Sequence, residues 1–197
     1  MNRAQAMNRG QATAGTSAAW HSPALHNRVP GPAEAKFVAD ALVRVDTAGQ
    51  FEGYASLFNL PDLCKDVVEP GAFATSLARR GPRGIKLLWQ HDPSEPIGQW
   101  LLLREDARGL FVRGRLSLAV ARAREIHALM RDGAVDGLSI GFRTVKARTD
   151  PRSGYRRLVE IDLWEVSIVT FPLLPQARVS AVKTGGRSES VQAIPAI

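Results

Sequence analysis

Leu138-Ser-Ile-Gly-Phe-Arg-Thr-Val-Lys146 and Arg156-Arg-Leu-Val-Glu-Ile-Asp-Leu-Trp-Glu-Val-Ser-Ile-Val-Thr170, separated by Thr149 to Gly154, decide how this chain is read. Both runs are rich in β-branched and aromatic residues. The interval between them carries Asp150, Pro151, Ser153 and Gly154, so the whole predicts a long antiparallel hairpin. Side chains alternate along a strand. In the first strand Leu138, Ile140 and Phe142 share one face, and Ser139, Gly141 and Arg143 the other. In the second, Trp164, Val166 and Ile168 oppose Glu165 and Ser167. A turn centred near Arg152 sets Ser139 against Glu165, with their Cβ atoms about 4.5–5.5 Å apart. A one-residue slip would send the two to opposite faces, so the pairing depends on that register.

Upstream, Phe51-Glu-Gly-Tyr-Ala-Ser-Leu-Phe58 reads as a strand and Asn59-Leu-Pro-Asp62 as a turn. Glu69-Pro-Gly-Ala-Phe73 leads into a short helix from Phe73 to Arg79. Ile85-Lys-Leu-Leu-Trp-Gln90 is a strand stopped by His91-Asp-Pro93, because proline lacks a ladder donor and restricts the residue before it. His91 is therefore expected at a strand end. Gln99 to Leu103 and Leu110 to Leu116 pair around Glu105-Asp-Ala-Arg-Gly109, with a positive φ expected at Gly109. Ala119 to Met130 shows one apolar side and is the best helix, ended by Arg131-Asp-Gly133 with glycine as its cap.

A chain of 197 residues fits one folded unit plus tails. Residues 1–35 are rich in Ala, Gln, Asn, Gly, Ser and Pro, with no acidic residue before Glu34, and are expected to be a disordered N-terminal tail. Pro30, Pro32 and the glycines argue against the amphipathic helix of an organelle transit peptide. Residues 184–197 have linker character and form a flexible C-terminal tail, which leaves 36–183 as the folded domain. Cys64 stands alone, so no internal disulfide can form and the chain suits a reducing compartment. No apolar run approaches the roughly 20 residues of a membrane span, and the first residues lack the apolar stretch of a secretory signal, so secretion is not expected. The net charge of +7 would suit an acidic partner, but the arginines alternate with acidic residues. The charge reads as solvated surface, and specific nucleic-acid binding is not expected.

A serine hydroxyl becomes a useful nucleophile only when a neighbouring base takes its proton, and the base works best when a third group orients it. Serine, histidine and a carboxylate are common residues, however, and most such triples have no chemical meaning. Larger segments are more specific. Gly53-Tyr-Ala-Ser-Leu-Phe-Asn59, Asp66-Val-Val-Glu-Pro-Gly-Ala-Phe73, Leu87-Leu-Trp-Gln-His-Asp92 with Pro96-Ile-Gly98, Gly137-Leu-Ser-Ile-Gly-Phe142 and Trp164-Glu-Val-Ser-Ile-Val-Thr-Phe-Pro172 occur in order through nearly all of 36–183. Together they resemble the prohead proteases of tailed bacteriophages and the related gene transfer agents.

The resemblance implies a serine endopeptidase of capsid maturation. Its fold would be α+β, a mostly antiparallel β-barrel-like core with surrounding helices, like the herpesvirus assembly proteases. No histidine–carboxylate cluster in the sequence has metal-ligand spacing and no phosphate-binding glycine loop is present, so no cofactor or metal is expected. Its partners would be the major capsid protein with its scaffold region, its own tail and further copies of itself, met in the bacterial cytoplasm inside the immature capsid rather than at a membrane. The family's histidine matches His91, its serine Ser139 and its acidic position Glu165. The hairpin register points to the same carboxylate, where the herpesvirus relatives carry a second histidine. Asp92 ranks second as the third member, since Asp before Pro is commonly a turn former. Glu165 could instead pair with Arg143 at the surface, an interaction worth little when exposed. Cys64 lies in a polar loop with no positioned base, His127 lies on a helix, and His21 and His26 lie in the tail, so none is assigned a catalytic role. A rival class is a non-catalytic basic assembly factor that binds scaffold or DNA.

Overall fold

The computed structural model describes residues 45–180. The expected tails at 1–35 and 184–197, and the domain limits at 36 and 183, lie outside the described residues. In chain order the elements are β1 (Gln50–Leu57), β2 (Asp66–Val68), α1 (Ala74–Gly84), β3 (Lys86–Trp89) and β4 (Asp92–Glu105). They continue with β5 (Gly109–Leu116), α2 (Ala121–Arg131), β6 (Gly137–Thr149), β7 (Arg156–Val169) and β8 (Val179–Ser180). The α+β class is as expected, and five of the seven strand pairings are antiparallel.

The eight strands among the described residues form one mixed sheet in the order β2-β7-β3-β4-β5-β1-β8, with β6 also paired to β7. The sheet curls until its two sides approach. The segment before β8 closes the gap, because Leu138 N–H donates to Ala177 O at 2.9 Å, Val179 N–H to Asp136 O at 2.8 Å, and Tyr54 N–H to Arg178 O at 3.2 Å. Gly53 permits this approach: a Cβ there would lie 2.2 Å from Arg178 O and 2.8 Å from Val179 Cα. Inside the curl Phe51, Leu87, Ile97, Leu110, Leu138 and Ile168 are buried, and the Phe51 and Trp100 rings meet edge to face at 5.6 Å. Burying such side chains contributes about 1.5–3 kcal/mol each.

The two described helices pack against the sheet, α1 on β4 and β7 and α2 on β4 and β5. Helix α2 buries Ala123, Ile126 and Met130, an i, i+3, i+7 stripe. It ends at Gly133, whose φ of 73° and N–H bond to Met130 O make the expected glycine cap. Helix α1 runs past Arg79 to Gly84, with a break at Gly81. It docks on β7 through two buried polar contacts. Ser76 Oγ accepts Leu163 N–H at 2.8 Å, and Asp162 receives Arg80 at two oxygens, 3.0 Å each, together with Arg79 and the Trp164 indole N–H at 2.9 Å.

Three local expectations change. Gly109 does not have a positive φ; it is in β5, where a Cβ would lie 2.1 Å from Ser56 O, so close packing rather than turn geometry requires glycine. The chain does not stop at His91-Asp-Pro93. Gln90 and His91 form a two-residue link, and β4 begins at Asp92, taking Pro93 and Pro96 into a stretch whose pairing with β3 shifts twice. Proline is tolerated there because the ladder is already irregular. In the hairpin, Ser139 faces Ser167 and Glu165 faces Gly141, two residues from the expected match. One residue of the displacement is set at the turn, where Thr149 pairs with Arg156, and the other is the net of the register shifts between Gly141 and Ala147, which alternation along either strand does not reveal. The displacement is even, so the side chains keep their faces.

Candidate active site

Strand β7 carries the centre of the site. On one side it runs parallel to β3, with Leu88 opposite Ser167 and Trp89 opposite Ile168. On the other it runs antiparallel to β6, with Ser139 opposite Ser167. Neighbouring strands lie about 4.8 Å apart, so a residue just past the end of β3 and one at the start of β6 both reach the same stretch of β7.

His91 is the residue just past β3. Trp89 pairs with Asp92, and the two residues between them, Gln90 and His91, have φ values of 53° and 62°. A two-residue hairpin link of this kind favours glycine or asparagine, and each other side chain held left-handed costs roughly 1–2 kcal/mol. Three contacts offset the strain. Gln90 N–H donates to Ile168 O at 3.0 Å, Gln90 Nε2 to Thr170 Oγ1 at 2.7 Å, and His91 N–H to Ser167 Oγ at 3.1 Å. Strained backbone of this type clusters at functional sites.

The link brings His91 Nδ1 to 2.6 Å from Glu165 Oε1. An ionised carboxylate only accepts, so Nδ1 carries the proton and Nε2 is left as the basic nitrogen. The other carboxylate oxygen, Oε2, accepts the Ser167 hydroxyl at 2.6 Å. The His91 side chain is 39% exposed and that of Glu165 12% exposed, which leaves the imidazole accessible and its partner shielded. Gly141 makes room for this arrangement, because a Cβ there would lie 1.8 Å from Glu165 Oε1.

That approach also shows that Gly141 and Glu165 project to one face, and alternation places Ser139 on it with them. The structure therefore joins His91 to Glu165 directly and sets Ser139 opposite Ser167, the hydroxyl that touches both. Ser139 also lines a cleft walled by Leu60, Ile140, Phe142, Leu173 and Leu174.

The alternatives are engaged elsewhere. Asp92 Oδ1 accepts the Ser94 N–H at 2.8 Å and its hydroxyl at 2.6 Å, and these bonds hold its carboxyl below the usual range. Arg143 lies 3.6 Å from Asp162 rather than on Glu165. Cys64 is exposed on its loop, and partial desolvation with the Asp62 and Asp66 carboxylates raises its thiol, the opposite of an activated thiolate. The His127 ring contacts Asp46 O at 2.9 Å. No cluster of metal-binding side chains occurs among the described residues. No described helix is long and apolar enough to cross a membrane.

Residues 39–190 match the caudovirus prohead serine protease family. The chain is 37% identical over 161 residues to the prohead protease of Enterobacteria phage HK97, covering 81% of this chain and 69% of that protein. It is 28% identical over 124 residues to the prohead protease of Escherichia phage T5, covering 62% of this chain and 58% of the relative. Among solved structures, the bacteriophage T4 capsid assembly protease superposes with a TM-score of 0.49 at 14% identity, over 61% of this chain and 80% of that one. The KSHV protease in complex with a hexapeptide phosphonate inhibitor gives 0.44 at 14% identity, over 66% and 63%. The chain belongs to the caudovirus prohead serine protease family, a family of capsid-maturation proteases.

Proposed function

We propose that this chain is a serine endopeptidase in which Ser139 is the nucleophile, His91 the general base and Glu165 the orienting acid. The observation that carries this reading is the 2.6 Å contact between His91 Nδ1 and Glu165 Oε1, made on a strained link against β7, the strand that pairs with Ser139 through Ser167. His91 Nε2 takes the proton from Ser139 Oγ as the oxygen attacks the scissile carbonyl carbon. The resulting imidazolium, stabilised by Glu165, returns the proton to the departing amine as the C–N bond breaks. Water, activated by the same nitrogen, then releases the acyl group from Ser139. The substrates follow from the family: the major capsid protein with its scaffold region, and the enzyme's own tail, cleaved inside the prohead.

A serine-directed fluorophosphonate should label the wild-type protein at Ser139, with labelling lost in Ser139→Ala and slowed strongly in His91→Ala. Co-expression with the capsid protein, read by mass spectrometry, should show cleavage in the wild type alone. Unchanged cleavage in both variants would overturn the mechanism. Salt-sensitive DNA binding without proteolysis would favour a non-catalytic assembly factor.

Gly141→Ala separates the geometry of the acid from the stability of the fold. The new Cβ would lie 1.8 Å from Glu165 Oε1 and 2.6 Å from its carboxyl carbon, so the end of a flexible side chain must move away from His91. The expected result is a loss in kcat of about 10²-fold or more, the lower range for general-base assistance, with urea-unfolding stability within about 1 kcal/mol of wild type.

A further inference from the structure

We infer that Ser167 is a positioning residue that locks base and acid together, an inference that rests on the triad proposed above. Its hydroxyl is fully buried, at 0% exposure, so it cannot itself meet a substrate. It donates to Glu165 Oε2 at 2.6 Å and accepts His91 N–H at 3.1 Å. One oxygen thereby ties the carboxylate of the acid to the backbone of the base.

The two bonds do different things. Glu165 can rotate about its side-chain torsions, and a carboxylate bonded only through Oε1 could follow the imidazole rather than fix it. With Oε2 held by Ser167, Oε1 stays aimed at His91 Nδ1. The bond to His91 N–H acts on the left-handed link, in which the His91 amide would otherwise lose a partner inside a strained turn. The same hydroxyl can make both bonds, because it has one proton to give and lone pairs to accept with. A buried strand serine with a purely local role would bond to its own or an adjacent backbone group. Ser167 instead reaches across 76 positions of sequence to His91. Ser139, its Cα partner on β6, lies beside it, so the residue that organises base and acid also neighbours the nucleophile.

The test compares Ser167→Ala and Ser167→Thr with wild type, using fluorophosphonate labelling of Ser139 and steady-state cleavage of a capsid-derived peptide. Rates are expressed per active site by titrating the labelled fraction, so partial unfolding does not enter them. Ser167→Ala is expected to lower the labelling rate and kcat by about 10- to 100-fold while KM changes less than about threefold, since a loosened base acts on the transition state rather than on substrate binding. Ser167→Thr keeps the hydroxyl and should recover most of the loss, whereas a role in packing alone would gain nothing from it. Wild-type rates per site in Ser167→Ala, with Ser139→Ala inactive, would overturn the positioning role and leave the triad standing. Full activity in Ser139→Ala would overturn both.

Discussion

Replacing His91 with alanine is expected to slow peptide-bond cleavage by about 10⁴-fold or more, and Glu165→Gln by about 10²–10⁴-fold, on the roles proposed here. The difference has a structural origin. Alanine at 91 removes the imidazole to which the proposed mechanism assigns the Ser139 proton. Glutamine at 165 keeps the size of the side chain but has one acceptor where the carboxylate uses two, Oε1 for His91 and Oε2 for Ser167. If the amide oxygen faces His91, the imidazole keeps its working tautomer and loses only the stabilising charge. If the NH₂ group faces it, Nδ1 must accept, and the proton moves to Nε2, the nitrogen needed as base. The loss should appear in kcat and in the fluorophosphonate labelling rate, with KM close to wild type. Asp92→Asn should leave both rates near wild type, since the Asp92 carboxylate is committed to Ser94. A collapse of activity in that variant would reassign the third member of the triad.

Asp162→Ala is expected to destabilise the fold by about 3 kcal/mol, the lower end for breaking a buried ion pair, and to lower Tm by about 10 °C. The carboxylate is 5% exposed and receives Arg80 in a two-pronged contact along with the Trp164 indole. Arg79 and Arg143 also approach it but are 56% and 68% exposed, so solvent screens their share. The variant removes one acceptor shared by α1 and β7. The two-pronged bond from Arg80 holds the Asp162 carboxyl far below its ordinary value of 3.8, with Trp164 adding to the effect. A depressed folded-state value means that the stabilisation is present above the unfolded value and is lost as pH falls towards the folded one. Urea midpoints of wild type and Asp162→Ala should therefore differ most above about pH 5 and converge as the pH falls below about 4. A gap that stays constant down to pH 2 would show that the carboxylate is not the source of the difference.

Much of the fold was legible in the chain because its signals are local. The alternation in β6 and β7, the Asp-Pro-Arg-Ser-Gly turn and the apolar stripe of α2 each depend on residues a few positions apart. The exact partner of Ser139 was not legible, because neither the centre of the turn nor the bulges between Gly141 and Ala147 leave a mark on either strand's pattern; only the evenness of the combined shift preserved the shared face. The link at Gln90 and His91 was hidden for a different reason. It has the backbone of an Asn-Gly turn without its residues, and the neighbouring prolines suggested a strand that stops. Ser167 could be placed on the face of Glu165 from alternation alone. Its bond to His91 depends on the parallel pairing of β3 with β7, a long-range contact that no window of sequence contains.

The closure of the sheet by residues 177–180 affects when the protein can become whole. Those residues come last among the described ones, yet they join β1, near the first of them, to β6. A nascent chain that has exposed His91, Ser139 and Glu165 but not yet Arg178 has an open seam along β1. Such long-range closure makes folding slow, because loop entropy is lost before the contacts form. The proposed catalytic groups thus all precede the segment that closes the sheet, and a ribosome still translating this domain holds a protease whose wall is unfinished.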